Sequence, residues 1–122
     1  MTQVWHGSTF TIERLTGEVP GTVIFKLSGP FTARTMYAVL TPEELRNVLI
    51  SEPPGISILD LTEVPYIDST ALGMMVKHYV SCHNRGIRWI AVGANARVLE
   101  LLKLTKMDSV LPIRATLEDA LI

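Results

Sequence analysis

The chain of 122 residues holds one cysteine, Cys82, so neither an internal disulfide nor a multi-thiolate metal cage can be built from it. It also lacks an excess of charge. Eleven Lys and Arg stand against twelve Asp and Glu, a net charge of −1. Residues 1–61 carry four basic and six acidic side chains, and residues 62–122 carry seven and six. That balance leaves no electrostatic footprint for direct nucleic-acid binding. No apolar run approaches the ~20 residues of a membrane span. Met1 to Gly7 has no basic stretch ahead of an apolar one, so no signal peptide is readable. Repeats and low-complexity tracts are missing as well. What remains is a chain 48% apolar and 19% charged, the composition of a globular protein. At this length it makes one domain, residues 1–122, expected to be soluble and cytoplasmic.

Several segments carry a readable period. Thr9 to Leu15 alternates polar and apolar residues as a half-buried strand does. Gly17 to Gly21 supplies a turn, and Thr22 to Leu27 reads as the hairpin partner, ended by Gly29-Pro30. Thr32 to Leu40 is ambiguous and fits at most one short helix. A clearer helix starts at Thr41 as N-cap with Pro42 at its first position and Leu45, Val48 and Leu49 on one face. Ile56 to Leu61 and Ile87 to Val92 are short apolar runs bounded by turns, as buried central strands are. Between them a helix runs from about Ser69 to Asn84, stopped by Gly86. Its apolar stripe is Leu72, Met75, Val76, Tyr79 and Val80, which puts Met74, Lys77, His78, Ser81 and Arg85 on the other side. Asn95 caps a helix with Val98, Leu101 and Leu102 inward; Val110, Leu111 and Ile113 read as a last strand, and Thr116 to Leu121 as a closing helix. The fold class is α/β: a mixed sheet of about five strands with about four helices packed on it.

Ser69 is the residue with most chemical potential. It follows a buried strand and a turn and stands where the long helix needs its N-cap, which is by itself a sufficient reason for a serine there. A hydroxyl at a helix N-terminus is also well placed to carry a phosphate, because the dipole and unpaired N–H groups stabilise added negative charge. A phosphate there adds about −1.5 to −2 of charge beside Asp68. Enzyme signatures are missing. Ile67 and Ala71 stand where a G-x-S-x-G elbow needs glycines, and the eight glycines form neither a phosphate-cradling loop nor a dinucleotide fingerprint. His78 and Cys82, four residues apart, share a helix face, but only His83 lies nearby, about 100° round the helix, and zinc wants three or four ligands. No metal and no cofactor is expected. Trp89 reads as core, and Met74 as an adaptable contact beside Ser69.

The run from Ile58 to Gly73, ILDLTEVPYIDSTALG, resembles the signature of the STAS domain, shared by bacterial anti-sigma factor antagonists and the cytoplasmic tails of sulphate transporters. The likeness covers roughly residues 9 to 121. It implies a STAS-type sheet and a phosphorylated serine directly after the motif's aspartate, which is Ser69 here, with Asp68 and Thr70 flanking it. It further implies a partner-switching cycle in transcription regulation. The unmodified protein binds an anti-sigma factor serine/threonine kinase and so frees a sigma factor; phosphorylation releases the kinase, and a serine phosphatase restores the protein. Ala71 replaces the family's usual glycine, and Thr32 stands where many members carry an acid facing the kinase. The expected partner surface is Asp68, Thr70, Gly73, Met74, Lys77, His78 and Thr32, on a monomer or weak homodimer without catalysis of its own. The rival readings are a scaffold module of a larger signalling complex, in which Ser69 is only a cap, and an accessory subunit of a transport system.

Overall fold

A computed structural model describes residues 3–17, 19–39 and 55–121. Its elements are β1 (Gln3–His6), β2 (Thr11–Thr16), β3 (Thr22–Ser28), α1 (Ala33–Val39), β4 (Ile56–Glu63), α2 (Ser69–Asn84), β5 (Arg88–Val92), α3 (Ala96–Leu104), a 3-10 turn (Met107–Ser109), β6 (Ile113–Arg114) and α4 (Leu117–Ala120). The six strands form one sheet in chain order. β1, β2 and β3 pair antiparallel; β3 to β6 pair parallel. This is the expected mixed α/β fold with one strand more than the sequence suggested, since β1 escaped it. Its four residues, with only Trp5 half-buried, carry too little apolar period to stand out. The last strand is shorter than expected, limited to Ile113 and Arg114. The helix expected from Thr41 lies outside the described residues.

The parallel strands are apolar on both sides because both sheet faces are covered. Phe25, Leu27, Leu59, Leu61, Trp89 and Ala91 belong to the main core with Met75 of α2 and Val98 and Leu102 of α3. Ile58, Ile90 and Val92 form a smaller cluster with Ala120 of α4. On the hairpin side, Ile12 and Phe10 are each only 1% exposed.

Helix α2 has the expected limits but not the expected buried face. Its buried residues are Ala71, Leu72, Met75, His78 and Cys82, while Val80 is 46% exposed. The buried stripe is rotated by roughly one residue's 100° from the one read off the apolar pattern. His78 is the main correction, because it was expected on the exposed side and is 4% exposed. Its Nδ1 accepts the Trp89 indole N–H at 3.1 Å, and its ring stands edge-on to Phe25 and Trp89. A histidine bonded in this way packs as an aromatic core residue. Gly86, at φ +72, ends the helix in the left-handed region.

Candidate functional site

Helices that follow parallel strands all begin at the carboxyl edge of the sheet, and that edge is where open α/β folds place their sites. Here the segments after β3, β4 and β5 deliver the first turns of α1, α2 and α3 to one edge. The segment after β3 turns at Gly29, whose φ is +96 and where any Cβ would run into the Thr9 carbonyl oxygen. Its N–H donates to Glu63 O at 3.0 Å. Phe31 then runs beside Ile67 as a short parallel bridge: Phe31 N donates to Tyr66 O at 3.0 Å and Asp68 N to Phe31 O at 3.3 Å. The Phe31 side chain is buried and stacked on Phe10 with the rings 5.5 Å apart.

Thr32 and Thr35 cap α1 reciprocally. Thr35 N donates to the Thr32 hydroxyl at 3.2 Å and Thr32 N to the Thr35 hydroxyl at 3.1 Å, the exchange of a capping box. The Thr35 hydroxyl in turn donates to Pro30 O. Thr32 is thus half-buried and engaged in the fold, although it does lie at the edge where it was expected.

Asp68 is the N-cap of α2, which corrects the expectation that Ser69 fills that role. Its Oδ1 accepts from Ala71 N at 2.8 Å, and its Oδ2 accepts from Ala33 N at 3.0 Å. One carboxylate therefore satisfies an orphan donor on each of two helices. Each oxygen accepts one backbone N–H, so the half-buried Asp68 fixes the turn that carries Ser69. Ser69 is displaced by one position, to the first residue of the helix, and is exposed; Thr70 is exposed beside it. Ser69 opens α2, one residue after the Asp68 cap.

The remaining expected residues separate into two groups. Gly73 and Lys77 are exposed on successive turns of α2, and a Cβ added at Gly73 would meet nothing within 4 Å. Met74 is half-buried and lines a shallow apolar pocket with Ile12, Leu27, Phe31, Leu59, Met75 and His78, so it is less available than expected. His78 lies beneath the helix and leaves the candidate surface altogether. Cys82 is buried on the same face. Burial pushes its thiol above the ordinary range, while the nearby Arg85 charge and the Ser57 hydroxyl pull the other way. Among the described residues no group of three or more His, Cys, Asp or Glu side chains is placed to hold a metal ion.

The sequence reading missed how α3 joins this edge. Asn95 caps α3, accepting from Val98 N at 2.9 Å, and its amide also donates to Pro65 O at 3.0 Å. Arg97, in the first turn of α3, lies over the Tyr66 ring with Cζ 4.6 Å from its centroid. The segment that leads into Ser69 is thus held by α1 on one side and by α3 on the other. Only the rule that successive parallel strands end at one edge could have brought residues 30 apart together beforehand.

A family model described as the STAS domain matches residues 14–120. An anti-sigma-B factor antagonist from Listeria monocytogenes is 34% identical over 56 residues, 46% of this chain and 49% of that relative, so the match spans about half the relative's length. Among solved structures, an anti-sigma factor antagonist from Mycobacterium paratuberculosis is similar with a TM-score of 0.77 at 20% identity, covering 96% of this chain and 95% of that one. A sulfate transporter family protein from Wolinella succinogenes is similar with a TM-score of 0.68 at 26% identity, covering 82% of this chain and 81% of that one.

Proposed function

The chain belongs to the STAS domain family, and from that membership we propose that it is an anti-sigma factor antagonist, a non-enzymatic binding switch set by phosphorylation of Ser69. In its unmodified form it holds an anti-sigma factor serine kinase and so releases a sigma factor; the phosphorylated form lets the kinase go, and a serine phosphatase resets it. The cycle runs in the cytoplasm. Among the described residues no helix is long and apolar enough to cross a membrane.

The observation that carries this reading is the division of labour between Asp68 and Ser69. The cap is supplied by Asp68, so the Ser69 hydroxyl is not needed by the helix and stands exposed on a turn fixed from two sides. A phosphate on that hydroxyl meets the positive end of α2 and adds charge without disturbing the core. Fold alone does not choose between roles, since a transporter-family protein shares it; the choice rests on this residue. Binding of the purified partner kinase tests the reading: Ser69→Ala retains wild-type affinity, and Ser69→Asp weakens it at least about tenfold, or ~1.4 kcal/mol. Equal affinity for wild type and Ser69→Asp contradicts it.

A further inference from the structure

The two outer strands of the sheet end it in different ways. At one side β6 offers only Ile113 and Arg114, and α4 packs on it and on β5, so that edge is short, charged and covered. At the other side β1 runs for four residues, Gln3-Val4-Trp5-His6, with no proline and no Lys, Arg, Asp or Glu to keep another strand away. Val4 is 41% exposed, and Trp5, which stands opposite Ile12 and packs on the main core, is half-buried. The hairpin fixes which backbone groups of β1 are spare. Gly7 N donates to Phe10 O at 2.8 Å, and in an antiparallel ladder the residues that bond to the neighbouring strand alternate. Gly7, Trp5 and Gln3 therefore turn their N–H and C=O groups to β2, and Val4 and His6 turn theirs outward.

We infer that the β1 edge is a dimer interface, filled by β1 of a second copy of this chain, antiparallel and with Trp5 on the two-fold axis. The outward groups of Val4 and His6 flank Trp5 symmetrically. A two-fold through Trp5 sets Val4 of each copy against His6 of the other, closes both backbone hydrogen bonds of each pair, and joins two six-stranded sheets into one. Trp5 then faces its own mate in a non-hydrogen-bonded pair, where Cα atoms stand about 4.5 Å apart and side chains touch. Each indole covers surface that the hairpin leaves open on the other. A second copy fits this edge better than an unrelated strand, because Trp5 completes the central pair from both sides. A net charge of −1 also gives two copies little to repel with. The contact is small, so the dimer is weak, with a Kd between about 10 µM and 1 mM. β4, which leads to Ser69, lies three strands away, and the inference does not rest on the role of Ser69.

Sedimentation equilibrium and NMR of the full chain, from about 10 µM to 2 mM, test this. The expected result is a monomer–dimer equilibrium within that range. Amide exchange at Val4 and His6 slows as the concentration rises, while Trp5 and Gly7, already bonded to β2, change little. A sample mixed from differently labelled copies shows a cross-peak between their Trp5 Hα protons. Val4→Pro removes an outward N–H that β2 does not use and weakens the dimer at least about tenfold. Gln3→Lys with His6→Lys weakens it as much through like charge, and keeps the test open if the proline variant distorts β1. Ser69→Asp leaves the equilibrium unchanged. A monomer throughout, a dimer that the double-lysine variant leaves intact, or cross-peaks from another element each overturns the inference. A dimer lost in Ser69→Asp places the contact on α2 and overturns it too.

Discussion

Asp68 Oδ2 accepts the backbone N–H of Ala33 at 3.0 Å, across 35 residues of sequence, and so ties the first turn of α1 to the first turn of α2. The other oxygen of the same carboxylate caps α2 through Ala71. The exposed Ser69 is carried on a turn whose position is set by both bonds.

Asp68→Ala therefore removes one cap and one bond between helices. A lost N-cap costs ~1 kcal/mol, and a lost charge-assisted bond to a backbone amide costs ~1 kcal/mol more. Urea unfolding is expected to show a loss of about 2 kcal/mol, with faster amide exchange at Ala33 as well as at Ala71. Faster exchange at Ala71 alone contradicts the bridging role.

Gly73 is exposed in the interior of α2 with open space where a Cβ would stand. Gly73→Ala should stabilise the fold by roughly 0.5–1 kcal/mol, because glycine is a poor helix former and no neighbour objects. Thermal unfolding measures the gain. A reduced affinity for the proposed partner kinase in the same variant marks Gly73 as a place where that partner approaches the helix backbone; undiminished affinity removes it from the proposed contact surface.

Trp89→Phe deletes the donor to His78 Nδ1 and leaves a buried acceptor without that bond. The expected loss is about 1–3 kcal/mol by denaturant unfolding. The same variant should bind the partner as wild type does at temperatures where it is folded, since His78 and Trp89 lie beneath the surface. A binding defect without a stability defect contradicts that placement.

Burial holds the Cys82 thiol protonated in the folded state above its ordinary value of 9.0. A group whose folded pKa is raised contributes fully below the unfolded value, and that contribution is lost as pH rises past it. Stability should fall with pH above about 9, more steeply in the wild type than in Cys82→Ala. Equal slopes show that the thiol does not set the alkaline limb. Native Cys82 should also resist alkylation until the chain unfolds.

Much of this molecule is legible in its sequence where local signals agree. The run ending in Asp68-Ser69-Thr70 and the stop at Gly86 bound α2, and the apolar runs at Ile58 and Ile90 mark its neighbouring strands. Asp and Ser are equally good caps, so local chemistry cannot say which of Asp68 and Ser69 takes the role. The Ala33 amide, which Asp68 reaches with its second oxygen, is tertiary information. The buried face of α2 was misread because Ala71, His78 and Cys82 carry weak or polar hydropathy yet pack well. Val76, Tyr79 and Val80 look like core and are half-buried or exposed instead. The pairing of Arg97 with Tyr66 depends on two strands ending side by side, which no spacing along the chain reveals.

The most direct test of the central claim is phosphopeptide mapping of the protein purified from its own host, in growing and in stressed cells. The account predicts phosphate on Ser69, with an occupancy that changes between the two conditions. A well-covered peptide with Ser69 unmodified throughout contradicts it and leaves an exposed serine on a scaffold domain.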